Sequence, residues 1–171
     1  MKTKIFFIAL LSAMCLSCDS DEMKYESQFE KSFQEWQKFK TSADNSYAYT
    51  VTQGSWVGIT SETTLVISGG KIVQREFILR QINYDTNGAL EIIEEWTEDE
   101  ANLGSHKRGA DLLTLDEVYH KAQTDWLLKR EGADTYFQTK NNGLISSCGY
   151  SYQKCADDCF VGINITNITS L

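Results

Sequence analysis

Two turn signals leave the middle of this chain few ways to fold. Residues 63–68 read TTLVIS, Gly69-Gly70 follows, and a long run then continues from residue 72 to 84. In that run Ile72, Ile78 and Ile82 fall on one face and Val73, Phe77 and Leu79 on the other. A Gly-Gly dipeptide between β-prone runs reads as a tight hairpin, because both central positions need positive φ and glycine accepts it without strain. Asp85-Thr86-Asn87-Gly88 is a second turn, and residues 89–97 make the next run. Upstream, Tyr47, Tyr49 and Val51 alternate with Ala48, Thr50 and Thr52. The pattern predicts four strands over 47–52, 63–68, 72–84 and 89–97, joined as an antiparallel meander.

A helix precedes this meander. Tyr25, Phe29, Phe33 and Trp36 recur at helical spacing, with Phe39 three further on and polar residues between. That predicts an amphipathic helix over 23–40 whose aromatic stripe faces the core. Ser42-Ala43-Asp44-Asn45 supplies turn residues to end it. After the meander, residues 98–109 are polar and glycine-bearing, hence loop. Thr114-Leu115-Asp116-Glu117 then forms a capping-box sequence, in which the Thr114 hydroxyl accepts from the Glu117 amide and the Glu117 carboxylate reaches back. Leu115, Val118, Tyr119, Ala122 and Trp126 continue at helical spacing to about Arg130, and Gly132 stops the helix. Strands over 135–140, 144–150 and 160–168 follow, with a turn at Asn141-Asn142-Gly143. The order α-ββββ-α-βββ predicts an α+β fold, antiparallel sheet with helices packed on one face, as a single domain over 24–171. A closed calycin-like β-barrel is the alternative, disfavoured by the long internal helix. Periodicity does not say whether the two helix-plus-meander units share one sheet.

The N-terminus has a different character. Lys2 and Lys4 precede an apolar run over 5–16 broken only by Ser12, shorter than the roughly 20 residues of a membrane span. Leu16-Ser17-Cys18 resembles a bacterial lipobox, which implies a signal peptide over 1–17 and a lipidated Cys18 as the first mature residue. Cys15 is the rival, but Met14 fits the small-residue position before it badly. Residues 18–23 then read as the lipidated cysteine and an acidic spacer. Asp19-Ser20-Asp21-Glu22 resembles the surface-export signal of Bacteroidetes lipoproteins, and serves equally as a solvated spacer. The expectation is an outer-membrane lipoprotein, facing the periplasm or the cell surface and held to the membrane by the lipid on Cys18. Loss of residues 1–17 removes two lysines and no acid, taking the formal charge from −8 to −10 and leaving 154 residues. Such acidity argues against nucleic acid and anionic lipid as partners, since both need basic patches. With no proline anywhere, a rigid proline-rich stalk is also excluded.

Chemistry-bearing residues are sparse. Cys148, Cys155 and Cys159 remain after the signal and the lipidated position, and an exported chain is free to oxidise them. Cys155-Ala156-Asp157-Asp158-Cys159 reads foremost as a loop stapled by a Cys155–Cys159 disulfide, since cysteines four apart in a helical turn lie within bridging distance. A Cys148–Cys159 bridge is the competitor, because strands 144–150 and 160–168 could form a hairpin. A zinc reading lacks the paired cysteines or added histidines such sites use. A cation at Asp157 and Asp158 would need oxygen ligands from elsewhere. His106 lies in Gly104-Ser105-His106-Lys107-Arg108-Gly109, a locally basic loop that could bind an anion or act on a substrate, or simply be solvated. Glu91, Glu94, Glu95, Glu98, Asp99 and Glu100 cluster around Trp96 and read as a solvated strand end unless two of them pair for acid–base work. Hydrolase, zinc-protease, phosphate-loop and dinucleotide fingerprints are missing, so no catalytic set, metal site or cofactor is assigned.

Several of these segments together carry a resemblance. Tyr47-Ala-Tyr-Thr-Val51, Val66-Ile-Ser-Gly-Gly-Lys-Ile-Val73, Leu113-Thr-Leu-Asp-Glu-Val118, Asn142-Gly143-Leu-Ile and Ala156-Asp157-Asp158 through Gly162-Ile163-Asn164-Ile165 resemble a group of uncharacterised bacterial lipoprotein domains of unknown function. Those domains share a YxYxV start and an hxVxxGxhV hairpin. The resemblance covers most of 24–171 and implies location and fold more than activity. In such relatives the Ala-Asp-Asp core is expected with non-cysteine flanks, which suits two cysteines acting as a pair. The expectation is therefore a membrane-anchored, non-enzymatic domain that binds a protein or a small ligand. A hydrolase-type enzyme built on the His106 loop or the acids near Trp96, and a cation-binding module at Asp157 and Asp158, are the alternatives. A pocket holding His106 beside acids would favour the first of these, an oxygen-lined cavity the second, and an exposed apolar patch the binding domain.

Overall fold

The computed structural model describes residues 22–156 and 159–171. The signal segment, Cys18, Asp19, Asp21, Asp157 and Asp158 lie outside the described residues. The first helix, α1 (Glu26–Ser42), begins later than its aromatic stripe suggests: Tyr25 stands at its N-terminal boundary in a left-handed conformation, φ 62°. The meander follows as β1 (Tyr47–Gly54), β2 (Ile59–Ser68), β3 (Lys71–Asn83) and β4 (Ala89–Asp99). Gly69 and Gly70 turn the β2–β3 hairpin with φ of 55° and 82°, the backbone that only glycine takes freely. A 3-10 turn over Tyr84–Thr86 joins β3 to β4.

The second helix is shorter than its spacing predicts. The capping box forms as expected, with the Glu117 amide donating to Thr114 Oγ1 and the Thr114 amide to the Glu117 carboxylate. The α-helix α2 (Leu115–Lys121) nevertheless passes into a wider π turn over Ala122–Trp126, where the Leu127 amide reaches back to the Ala122 carbonyl at 3.0 Å. Ala122 and Trp126 are buried as regular spacing predicts, and the wider turn brings Leu127 into the core with them. The last strands are β5 (Ala133–Gln138), β6 (Ser147–Tyr152) and β7 (Phe160–Ser170). Leu144 and Ile145, expected in the sixth strand, are instead a buried connection before it.

All seven strands form one antiparallel open sheet in the order β4-β3-β2-β1-β7-β6-β5. The α+β architecture holds, and the closed barrel does not, since β4 and β5 are free edges. The joint is β7. Its C-terminal half pairs with β1 from Val51↔Ile165 to Tyr47↔Ser170, and its N-terminal half pairs with β6 from Ser147↔Asn164 to Ser151↔Phe160. Gly149 and Gly162 face each other in that second ladder. A Cβ on Gly162 would stand 2.1 Å from the Cys148 carbonyl oxygen, so the two backbones approach as only glycines permit.

Both helices pack on the face presented by Tyr47, Tyr49, Val51, Leu65 and Ile67. Trp36 is fully buried there, edge-on to Tyr47 at 5.2 Å and stacked on Tyr119 at 6.0 Å. Burying a side chain of that size is worth about 1.5–3 kcal/mol, and its indole N–H still donates to Asp116 at 3.0 Å. Phenol groups tie the layers together. Tyr47 Oη accepts the Leu115 amide at 2.9 Å, Tyr49 Oη donates to the Leu113 carbonyl, and Tyr119 Oη accepts the Ile145 amide at 3.3 Å. Burial raises all three tyrosines above their usual pKa, Tyr119 to about 12. They therefore serve as neutral hydrogen-bonding posts.

Candidate binding surface and the Glu98 loop

Beyond the reach of the helices, the same sheet face is covered by the polar loop after β4. Arg75 on β3 and Glu98 on β4 are cross-strand partners. Arg75 Nε donates to Glu98 Oε2 and Nη2 to Oε1, both at 2.9 Å, and the carboxylate is completely buried. Burial alone would raise the Glu98 pKa. The Arg75 guanidinium, with the His106 and Gly104 amides, overrides it and holds the carboxyl well below the usual carboxylate range. Those amides donate at 2.7 Å and 2.8 Å, and the Ser105 hydroxyl adds a contact at 3.2 Å. Arg75 also donates to the carbonyls of His106 and Ala110 at 2.9 Å and 3.1 Å. The reading of Glu98 as part of a solvated strand end is thus corrected: it is the buried post around which the loop is wound.

His106 is placed by the same post. Its Nδ1 lies 3.1 Å from Glu98 Oε1, and its ring stacks flat on Trp96, centroids 4.2 Å apart and planes within 5°. Trp96 in turn stacks on Phe77 at 5.0 Å, with the Arg75 guanidinium 4.9 Å from its ring. The structure therefore brings His106, Glu98 and Trp96 together. Glu94 is drawn away to Arg108 at 2.5 Å. Both Glu98 oxygens are engaged by donors, which leaves the carboxylate poorly placed to take a proton from a substrate. Neither of the two hollows described below includes His106. Arg75 was missed in the sequence, although a lone arginine among Val73, Phe77 and Leu79 on one strand face marks a cation that needs a buried partner.

Cys155 and Cys159 are joined by a disulfide with Cα atoms 6.1 Å apart, and Cys148 is a free, fully buried thiol. Cys148 pairs across strands with Phe137 and Ile163, and burial pushes its thiol far above the ordinary value. A nucleophile needs the thiolate, so this group is inert in the folded chain. Among the described residues no group of three metal-capable side chains gathers.

A first hollow of about 460 Å³ sits where the sheet forks. There β1 runs on to Gly54 beside β2 after its last pairing with β7 at Val51. Its walls include Val51, Ile59, Leu79 and Ile163, and its polar groups include the buried Ser55 hydroxyl, which has no hydrogen-bond partner among the described residues. Among the described residues no charged side chain lines it.

The most exposed apolar surface is at the far end of the meander. The β1–β2 and β3–β4 hairpin tips touch, with the Ile82 amide donating to the Gly58 carbonyl at 2.9 Å. Together they expose Trp56 (80%), Tyr84 (75%), Leu90 (55%), Ile92 (53%) and Ile93 (52%), with Val57 beside them. A second hollow of about 430 Å³ opens beside the β3–β4 tip, bounded by Ile82, Tyr84, Asp85, Glu91 and Ile93. This end lies away from the entry of the chain, where Met23 bridges Leu128 and Tyr25 donates to the Thr135 carbonyl on β5, the opposite edge of the sheet. No family model matches the chain, and no curated protein or solved structure matches it either.

Proposed function

We propose that the chain is a membrane-anchored, exported lipoprotein whose folded domain binds another protein or a small ligand and does not catalyse a reaction. The observation that carries the binding role is the exposure of Trp56, Val57, Tyr84, Leu90, Ile92 and Ile93 on the two neighbouring hairpins at one end of the meander. Exposed aromatic and aliphatic residues clustered on adjacent hairpins cost solubility unless something covers them. The export and anchoring parts rest on the basic and apolar segment before Leu16-Ser17-Cys18 and on the resemblance to bacterial lipoprotein domains. Among the described residues the chain enters at Glu22, whose carbonyl accepts the Lys129 amide, and the apolar end lies at the β4 side of the sheet, across from β5.

The hydrolase alternative has one observation in its favour, the contact between His106 and Glu98. It is opposed by the full set of donors around that carboxylate. Site-specific photocrosslinking tests the binding role. A photoreactive residue placed at Trp56, Tyr84 or Ile92 in cells that make the protein is expected to give discrete adducts. The same residue at exposed Lys38 on α1 is not. Equal labelling from both sets of positions would overturn the reading.

A further inference from the structure

The outer half of β4 is an open edge whose chemistry selects its occupant. β4 is the last strand of the sheet, eleven residues long, and its residues 89–93 are exposed. The other edge, β5, has six residues, and the Thr135 carbonyl is taken by the Tyr25 hydroxyl at 3.2 Å. An edge strand offers a row of main-chain donors and acceptors to any extended segment that comes alongside. Here the row is flanked by apolar side chains, Leu90, Ile92 and Ile93, interleaved with acids, Glu91, Glu94 and Glu95.

We propose that β4 receives an extended peptide segment by strand addition, and that the segment alternates apolar with basic residues. This rests on the reading of the apolar end as a binding surface and names its partner. The hollow at the β3–β4 tip supports the choice. Ile82, Tyr84 and Ile93 give it apolar walls suited to the methylene stem of a lysine or arginine, and Asp85 and Glu91 set carboxylates at its margin for the cationic head. Asn83 donates to Glu91 Oε1 at 2.7 Å, which holds that carboxylate at the tip.

A second copy of this chain is the wrong occupant. Antiparallel self-pairing between Ile92 and Ile93 sets Glu91 against Glu94 on the same face of the sheet. Like charges in that position are destabilising. The chain's charge of −8 adds repulsion between copies and attraction toward a basic segment.

The probe is a ten-residue synthetic peptide alternating lysine and valine. Two controls accompany it, one with glutamate for every lysine and one with the lysines kept but alternate amides N-methylated. Binding is read by fluorescence and by amide hydrogen exchange on the full mature chain. The lysine peptide should bind, slow exchange at Leu90 to Glu95, and weaken with salt. The glutamate and N-methylated peptides should not bind. Asp85→Asn with Glu91→Gln should weaken the lysine peptide by about tenfold. Ile92→Lys, a change on an exposed side chain, should do so without affecting the fold. Failure of the lysine peptide to bind overturns the proposal. So does equal binding by either control, protection mapping away from β4, or a peptide-free dimer that protects β4. Crosslinks from Trp56 and Tyr84 alongside any of these results would leave the binding surface standing and remove only strand addition. Their loss would remove both.

Discussion

Arg75 meets Glu98 side-on across β3 and β4, two nitrogens on two oxygens at 2.9 Å, with the carboxylate fully buried. The pair fixes more than itself, because the spare capacity of both groups is spent on the backbone of the 104–110 segment. Glu98→Gln should therefore cost about 3–5 kcal/mol by leaving Arg75 buried without a counter-charge. Replacing both, Arg75→Met with Glu98→Leu, should cost much less overall yet still release the loop. Urea denaturation gives the first comparison, and amide exchange at Gly104 and His106 gives the second.

The same carboxylate sets an acid limit. Its folded pKa lies below its ordinary value of 4.5, so the unfolded chain binds the proton more readily. Its stabilisation is complete above the unfolded value and is lost as pH falls through that value toward the folded one. The stability difference between the native chain and Glu98→Gln should be flat above about pH 5 and shrink steadily below it. A difference that grew on acidification would contradict the assignment.

Tyr47→Phe should destabilise by about 1–3 kcal/mol, since it leaves the buried Leu115 amide without its acceptor at the start of α2. Thermal unfolding with an intact far-ultraviolet spectrum would show the loss as local to the junction of β1 and α2. A neutral result would mean that water serves that amide.

Gly162→Ala should be the more damaging of two small changes to β7. A methyl there would press on the Cys148 carbonyl at 2.1 Å, with φ at 154°, whereas Ile168→Val trims a half-buried side chain. The cost of the first is expected to be about 1–3 kcal/mol and of the second about 0.5–1.5 kcal/mol. Denaturant midpoints at constant slope decide the ranking.

Thiol chemistry gives the last test. Cys148 should resist a small disulfide reagent in the native chain and react at the rate of unfolding, because its thiol is buried and neutral. Cys155→Ser with Cys159→Ser should cost less than the roughly 3 kcal/mol assigned to a 15-residue loop. Non-reduced peptide mapping should link Cys155 to Cys159. A linked Cys148 peptide would refute both statements about this cysteine set.

The sequence by itself determined the local elements. Alternation at Tyr47, Tyr49 and Val51, the Gly69-Gly70 turn and the Thr114–Glu117 box each depend on residues within a few positions of one another. Physical chemistry at that range is readable from spacing. It also marked His106 and the acids around Trp96 as a neighbourhood, without separating buried Glu98 from exposed Glu95. Only the tertiary structure decided that the two helix-plus-meander units share one sheet. Alternation states which face a residue occupies but not which strand lies beside it, and the joint of β1 with β7 brings together residues more than a hundred positions apart, as in the Thr166 to Thr50 contact with its separation of 116. Pairing at such distance leaves no local signature, because it depends on the whole chain having closed first. The apolar end is legible only then as well: the helices pack on the face of Tyr47 and Leu65, while Ile92 pairs with Arg80 on the opposite face and stays exposed.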